Sequence, residues 1–333
     1  MTLRFNLIPV LSLATALGLS ACSSTAVSRV EKERQLEIHT DSCSLNLSMG
    51  EYQRAESQAL KGLELDSDNF TLTLFLGRAL LHQGGAQRIL QAEYALRQLD
   101  ADVDFRVPLS LAEALERKGT ALTEAADGVE SGERFTEAPD PVARAVELRE
   151  DAIECYLEAL ELFDDALDMR PSDTEVINGL VRITAILEQY EDSLAWGQAL
   201  VRITKTDRLW FQDQANRTGI STYDEKRHWD VINRLRNLEM SVHLHSASVL
   251  NLKLHRTLDA IHELDAVIVF DPNVAEVHSL RAQLLVKMGR YEEAIASLDS
   301  YISLAVLSFE HPDIQRAFRI RRDCETALVR ATD

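Results

Sequence analysis

The apolar positions of this chain recur with the period of a helix. Tyr156, Ala159, Phe163 and Ala166 are separated by three, four and three residues, so they share one helix face and leave Glu158, Glu161, Asp164 and Asp165 on the remainder. The arrangement returns at Tyr291, Ala294 and Leu298, and again at Tyr52 and Ala55. In both of these places the aromatic follows a glycine, Gly289 or Gly50, by two residues. Pro171 and Pro272 close such runs, because proline supplies no amide donor and disfavours helix in the residue before it. Val142 to Met169 contains no breaker and reads as one long helix. Residues 127–140 read as a loop, residues 203–224 depart from the helical pattern, and the segment from Pro312 reads as a last helix. The expected fold class is all-α.

These landmarks recur at about 34 residues, the period of the tetratricopeptide repeat, which they resemble in their small residues, aromatic and closing proline. Units start near Leu36, Phe70, Thr174, Ser241 and Ala275, and the intervals leave room for further, degraded units near 105–171 and 208–240. The resemblance implies an α-solenoid of stacked antiparallel helix pairs over residues 36–308, with insertions near 127–140 and 203–229 and a capping helix over 309–333. Ala55, Gly77, Ala159, Ala282 and Ala294 are small where paired helices must approach, while Phe163 and Leu298 fill the gap to the next pair. No unit buries its apolar face alone, so the stack forms one continuous core. Length alone suggests about two domains; the repeat replaces them with one elongated body. Arg316, Arg319, Arg321 and Arg322 suit a polar end to the stack.

The N-terminus follows a different pattern. Arg4 precedes an apolar stretch, Phe5–Leu19, which as a helix spans about 22 Å, short of the roughly 30 Å hydrocarbon core. This favours a signal peptide over a membrane span. Leu19-Ser20-Ala21-Cys22 resembles the lipobox of bacterial lipoproteins. That resemblance implies removal of residues 1–21, acylation of Cys22, a tether over 22–35 and, from Ser23, sorting to the periplasmic face of the outer membrane. Of the other cysteines, Cys43 and Cys155 lie within helical patterns and suit buried positions; with Cys324 they make an odd number, which allows at most one disulfide.

Composition narrows the chemistry. Acidic residues number 54 against 35 basic, a net charge of −19, which disfavours nucleic-acid binding. Gly 13 and Pro 7 are too few for a turn-rich sandwich or barrel. The chain carries no phosphate-cradling glycine loop and no G-x-S-x-G elbow. His262-Glu263 lacks the second histidine of a zinc helix. Asp100-Ala-Asp102-Val-Asp104 begins like a calcium loop but has Phe105 and Leu111 where that loop needs Gly and Glu. His243 and His245, two apart on a helix, point away from each other. The carboxylates over 147–168 share a helix with core-facing residues and read as a solvated face. Neither an enzyme, a cofactor, a metal nor a small-molecule substrate is expected. Trp210, Phe211 and Trp229 allow two readings, a contact site or a plug for a degraded repeat, and the preference of large apolar groups for burial favours the plug.

The family resemblance locates the ligand surface on the concave groove lined by the first helix of each pair. Its positions here are Ser44, Ser48, Arg78, His82, Arg182, Ile186, Val249, Lys253, Gln283 and Lys287, with Asn178 one turn before Arg182 and His245 one turn before Val249. None of the ten is acidic, so the expected ligand is an acidic or carboxylate-ended peptide of a partner protein. The function this implies is a non-enzymatic, lipid-anchored scaffold for an envelope complex. A regulatory adaptor for an envelope enzyme is the alternative, and a hydrolase built on the insertions is a third reading.

Overall fold

The computed structural model describes residues 29–132, 140–217 and 219–332, in which it forms thirteen helices and no strand. They are α1 (Arg29–Ser48), α2 (Tyr52–Leu65), α3 (Phe70–Gln83), α4 (Ala86–Leu96), α5 (Arg106–Glu130), α6 (Pro141–Met169), α7 (Thr174–Ile186), α8 (Tyr190–Ala215), α9 (Thr222–Leu252), α10 (Thr257–Phe270), α11 (Ala275–Lys287), α12 (Tyr291–Leu304) and α13 (Pro312–Thr332). Six antiparallel pairs run from α1/α2 to α11/α12, and α13 closes the stack. The signal peptide, Cys22, Ser23 and residues 133–139 of the expected loop lie outside the described residues.

Helix starts are set by side-chain caps. Asp140 accepts from the amides of Val142 and Ala143 at 3.0 and 3.1 Å, with Pro141 in the first turn. Asp173 does the same for Glu175 and Val176 at 2.9 and 3.2 Å. The turn within a pair places one residue in the left-handed region. That residue is Gly50 (φ 75°) or Gly289 (φ 73°) in two pairs, but Glu188 (φ 61°) and His255 (φ 56°) in two others.

Packing follows the small residues. Ala55, Ala159, Ala282 and Ala294 are fully buried, and so is Phe163. A Cβ on Gly77 would stand 2.6 Å from Leu96 Cγ, and one on Gly119 2.6 Å from Tyr156 Cε1, so bare backbone lets the paired helices close. The first helices of successive pairs touch one another, α1 with α3, α3 with α5 and α5 with α7. They therefore lie on the inner, concave side, and the second helices lie on the convex side. The fold is an all-α solenoid of the tetratricopeptide type.

Four expectations about element boundaries need correction. Residues 105–171 form one pair of long helices, 25 and 29 residues, where further degraded units were expected. Residues 208–240 are not a unit either: α8 continues to Ala215 and α9 begins at Thr222, so the repeat start near Ser241 falls inside a 31-residue helix. The apolar pattern fades there because the helices meet through a polar contact. Arg208 Nε donates to Glu239 Oε1 at 2.8 Å, and Glu239 is fully buried. Residues 29–35 of the expected tether belong to α1, where Arg29 and Glu33 form an i,i+4 pair at 2.9 Å. Residues 127–130 of the expected loop belong to α5, which packs Ala126 and Val129 on Ala145 and Leu148 of α6.

The long hairpins α5/α6 and α8/α9 extend beyond their neighbours. In one the free helix ends are those joined within a pair and in the other those joined between pairs, so the two project from opposite edges of the stack. Trp210 stands 56% exposed on the second projection, which overturns the plug reading for that residue. Its ring meets Phe211 edge-on at 4.8 Å, and Phe211 is half-buried against His228.

Candidate peptide groove

The concave face is built by α1, α3, α5 and α7, which touch in succession, and α9 reaches it through His245 beside Arg182. Arg78 and His82 are one turn apart on α3, and His82 stacks on Tyr52 with ring centroids 4.8 Å apart. On α7, Asn178 and Arg182 are likewise one turn apart and both half-buried. Arg182 is held bidentate by Glu116 of α5, with both contacts at 2.8 Å. His245 of α9 shares a hydrogen bond with Ser193 at 3.0 Å through Nε2, while His243, on the other side of the helix, meets Glu263 at 2.6 Å.

Electrostatics tie four of these helices together. Burial pushes the His82 imidazole below its ordinary pKa, assisted by Arg117 and Arg78. Burial lowers His245 in the same way, assisted by Arg182. Glu113 of α5 moves the other way: burial raises its carboxyl, and Arg182, Arg117 and Arg78 only partly oppose this. Arg78 also lies 4.0 Å from Glu175 of α7.

The acid-free groove expected from the sequence is therefore not what the fold assembles. Glu113 and Glu116 come from α5, whose unit lacked a clear repeat signature, and Glu175 lies one turn before Asn178 and Gly179. Arg78, Arg117 and Arg182 are matched by three carboxylates. Of the remaining expected positions, Val249 is buried in the core. Lys253 sits over the Tyr190 ring at 5.5 Å. Lys287 is exposed, and Gln283 lines a separate cavity of about 610 Å³ between α11 and α13. Ser44 and Ser48 are exposed near the first turn. The structure thus brings together Arg78, His82, Asn178, Arg182 and His245, and leaves Lys253, Gln283 and Lys287 further along the stack.

Cys43, Cys155 and Cys324 are buried and unpaired, each in a different apolar cluster. Burial pushes the Cys43 thiol up to about 11. Among the described residues no helix is long and apolar enough to cross a membrane.

Residues 250–305 match the tetratricopeptide repeat model. They span the end of α9, all of α10 and α11, and α12 with the residue after it. No curated protein matches the chain. Among solved structures it is similar to a thermophilic tetratricopeptide protein from Thermus thermophilus, with 13% identity over 77% of this chain and 99% of that one and a TM-score of 0.44. It is similar to the Schizosaccharomyces pombe nuclear import adaptor Nro1, with 11% identity over 88% and 99% and a TM-score of 0.43. A tetratricopeptide repeat protein from Parabacteroides merdae shows 13% identity over 87% and 99%, with a TM-score of 0.30.

Proposed function

We propose that this protein is a non-catalytic scaffold that captures a segment of a partner protein on its concave face. A lipidated Cys22 holds it to the periplasmic side of a bacterial outer membrane, where it supports assembly of an envelope complex. The observation that carries the binding role is the row of half-buried polar side chains on consecutive first helices, centred on Arg78, Glu113, Asn178 and Arg182. Such a row offers directional hydrogen bonds along a peptide without a catalytic grouping. The lipid anchor rests on the Leu19-Ser20-Ala21-Cys22 motif.

The balanced charge of this row refines the ligand. Arg182 gives its Nε–Nη2 edge to Glu116, so a ligand carboxylate must use the remaining donors beside a resident carboxylate, and bulk acidity is not sufficient. The ligand is a peptide with spaced polar groups, one of which meets the remaining donors of Arg182.

Capture from the native envelope after chemical crosslinking tests this reading. The paired Arg78→Glu and Arg182→Glu variant is expected to lose the partner at unchanged abundance, and undiminished capture would contradict the groove. Cys22→Ser is expected to abolish labelling by a fatty-acid analogue and release the protein from membranes. The partner's identity then separates assembly of a structural complex from regulation of an enzyme.

A further inference from the structure

The projecting helix α6 carries a second face of defined chemistry. Its packing partners are α5, along its length, and α7. On its free flank Val142, Val146, Ile153 and Leu157 are 63%, 48%, 50% and 47% exposed. Their spacing of four, seven and four residues keeps them in one row. Fifteen steps along a helix give that row a length of about 22 Å. About a quarter turn round the axis, Glu147, Glu150, Glu154, Glu158 and Glu161 form a parallel row spaced by three or four residues.

The described basic residues near these rows are engaged. Arg149, which falls between Val146 and Ile153, is drawn back to Asp127 and Glu130 of α5. Arg144 pairs with Glu147, and Arg97 of α4 with Glu158. Among the described residues Glu150, Glu154 and Glu161 have no ion-pair partner, and they set the field over the apolar row.

We propose that this flank of α6 docks an amphipathic helix of a partner protein, about four turns long, with aliphatic side chains on one face and lysine or arginine along one edge. The apolar row supplies the burial and the glutamate row supplies register and selectivity. An anionic lipid surface is repelled by the same glutamates. A second α6 is disfavoured too, because antiparallel pairing about the middle of the stripe sets one glutamate row against the other. The face lies on the convex side, away from Arg182, so one molecule can hold two partners at once.

The probe is a synthetic eighteen-residue peptide of leucine and lysine arranged with helical period. Its comparison is the same composition scrambled. Both are titrated into the full chain by fluorescence anisotropy. The periodic peptide is expected to bind and the scrambled one to bind at least about tenfold more weakly. Val146→Lys with Ile153→Lys should weaken the periodic peptide about tenfold or more. Glu150→Lys with Glu154→Lys, at exposed positions that leave packing untouched, should do the same. Arg182→Glu should leave binding unchanged. Equal binding of the scrambled peptide, no binding of either peptide, retained binding by both α6 variants, or loss only with Arg182→Glu each overturns the proposal. The last of these outcomes would leave the concave groove intact as a site, so the two readings fail separately.

Discussion

Phe163 of α6 lies flat against the bare backbone of Gly179 in α7: a Cβ at Gly179 would stand 2.2 Å from Phe163 Cε1. The ring is fully buried, so it has no room to withdraw. This contact joins one helix pair to the next at the middle of the stack. Gly179→Ala should therefore overpack the joint and lower unfolding stability by about 1–3 kcal/mol. Phe163→Ala should empty it at a cost of about 3–5 kcal/mol. Urea unfolding followed by circular dichroism checks both, and a neutral Gly179→Ala would show that the joint is looser than described.

Glu188 and His255 occupy the turn position that Gly50 and Gly289 hold in other pairs, at φ 61° and 56°. A side chain there costs about 1–2 kcal/mol, and the extra freedom of glycine in the unfolded chain gives part of that back. Glu188→Gly and His255→Gly are each expected to raise stability by about 0.5–1 kcal/mol. Gly289→Ala should lower it by a similar amount. Thermal unfolding of the three variants tests the sign.

The Arg208–Glu239 pair joins the roots of the α8/α9 projection. Removing Arg208 leaves the fully buried carboxylate of Glu239 without its partner, so Arg208→Ala should cost about 3–5 kcal/mol. Replacing both by leucine should restore most of that loss. Local amide exchange over 203–240 should report the single change as faster opening of the hairpin and the double change as recovery.

Legibility followed the physics of each contact. Ala159, Phe163 and Ala294 were readable because an apolar face repeats with helical spacing, and Gly77 because a small residue stood at a fixed place in the repeat. The hairpin over 203–240 was not readable, because Arg208 and Glu239 stand where apolar side chains would have revealed the interface. The groove suffered for a related reason. Without a recognisable signature over α5, Glu113, Glu116 and Arg117 could not be placed beside Arg182, and the groove looked cationic. The left-handed Glu188 and His255 carried no signal at all, since neither residue type announces such a turn.

Protonation links the groove to stability in two opposite ways. His245 has its pKa held below 6.5 by burial and Arg182, so the folded form binds fewer protons than the unfolded chain. Its contribution is present above pH 6.5 and is lost as pH falls through the lowered value. Glu113 is raised above 4.5, so the folded form binds more protons, and its ionisation lowers stability as pH rises through the window above 4.5. His245→Gln should flatten the acid-side loss below pH 6.5. Glu113→Gln should become more stable than the parent as pH rises out of the carboxylate range. Chemical unfolding of both variants across pH 4 to pH 8 checks the two slopes.

Placing a photoreactive amino acid at Asn178 in the concave row, and separately at Lys61 on the outer face of α2, tests the scaffold role most directly when both are irradiated in intact cells. A discrete adduct from position 178, absent from position 61 and lost when Arg182→Glu is added, is the expected result. Equal adducts from both positions, or none from 178, would contradict a partner held in the groove.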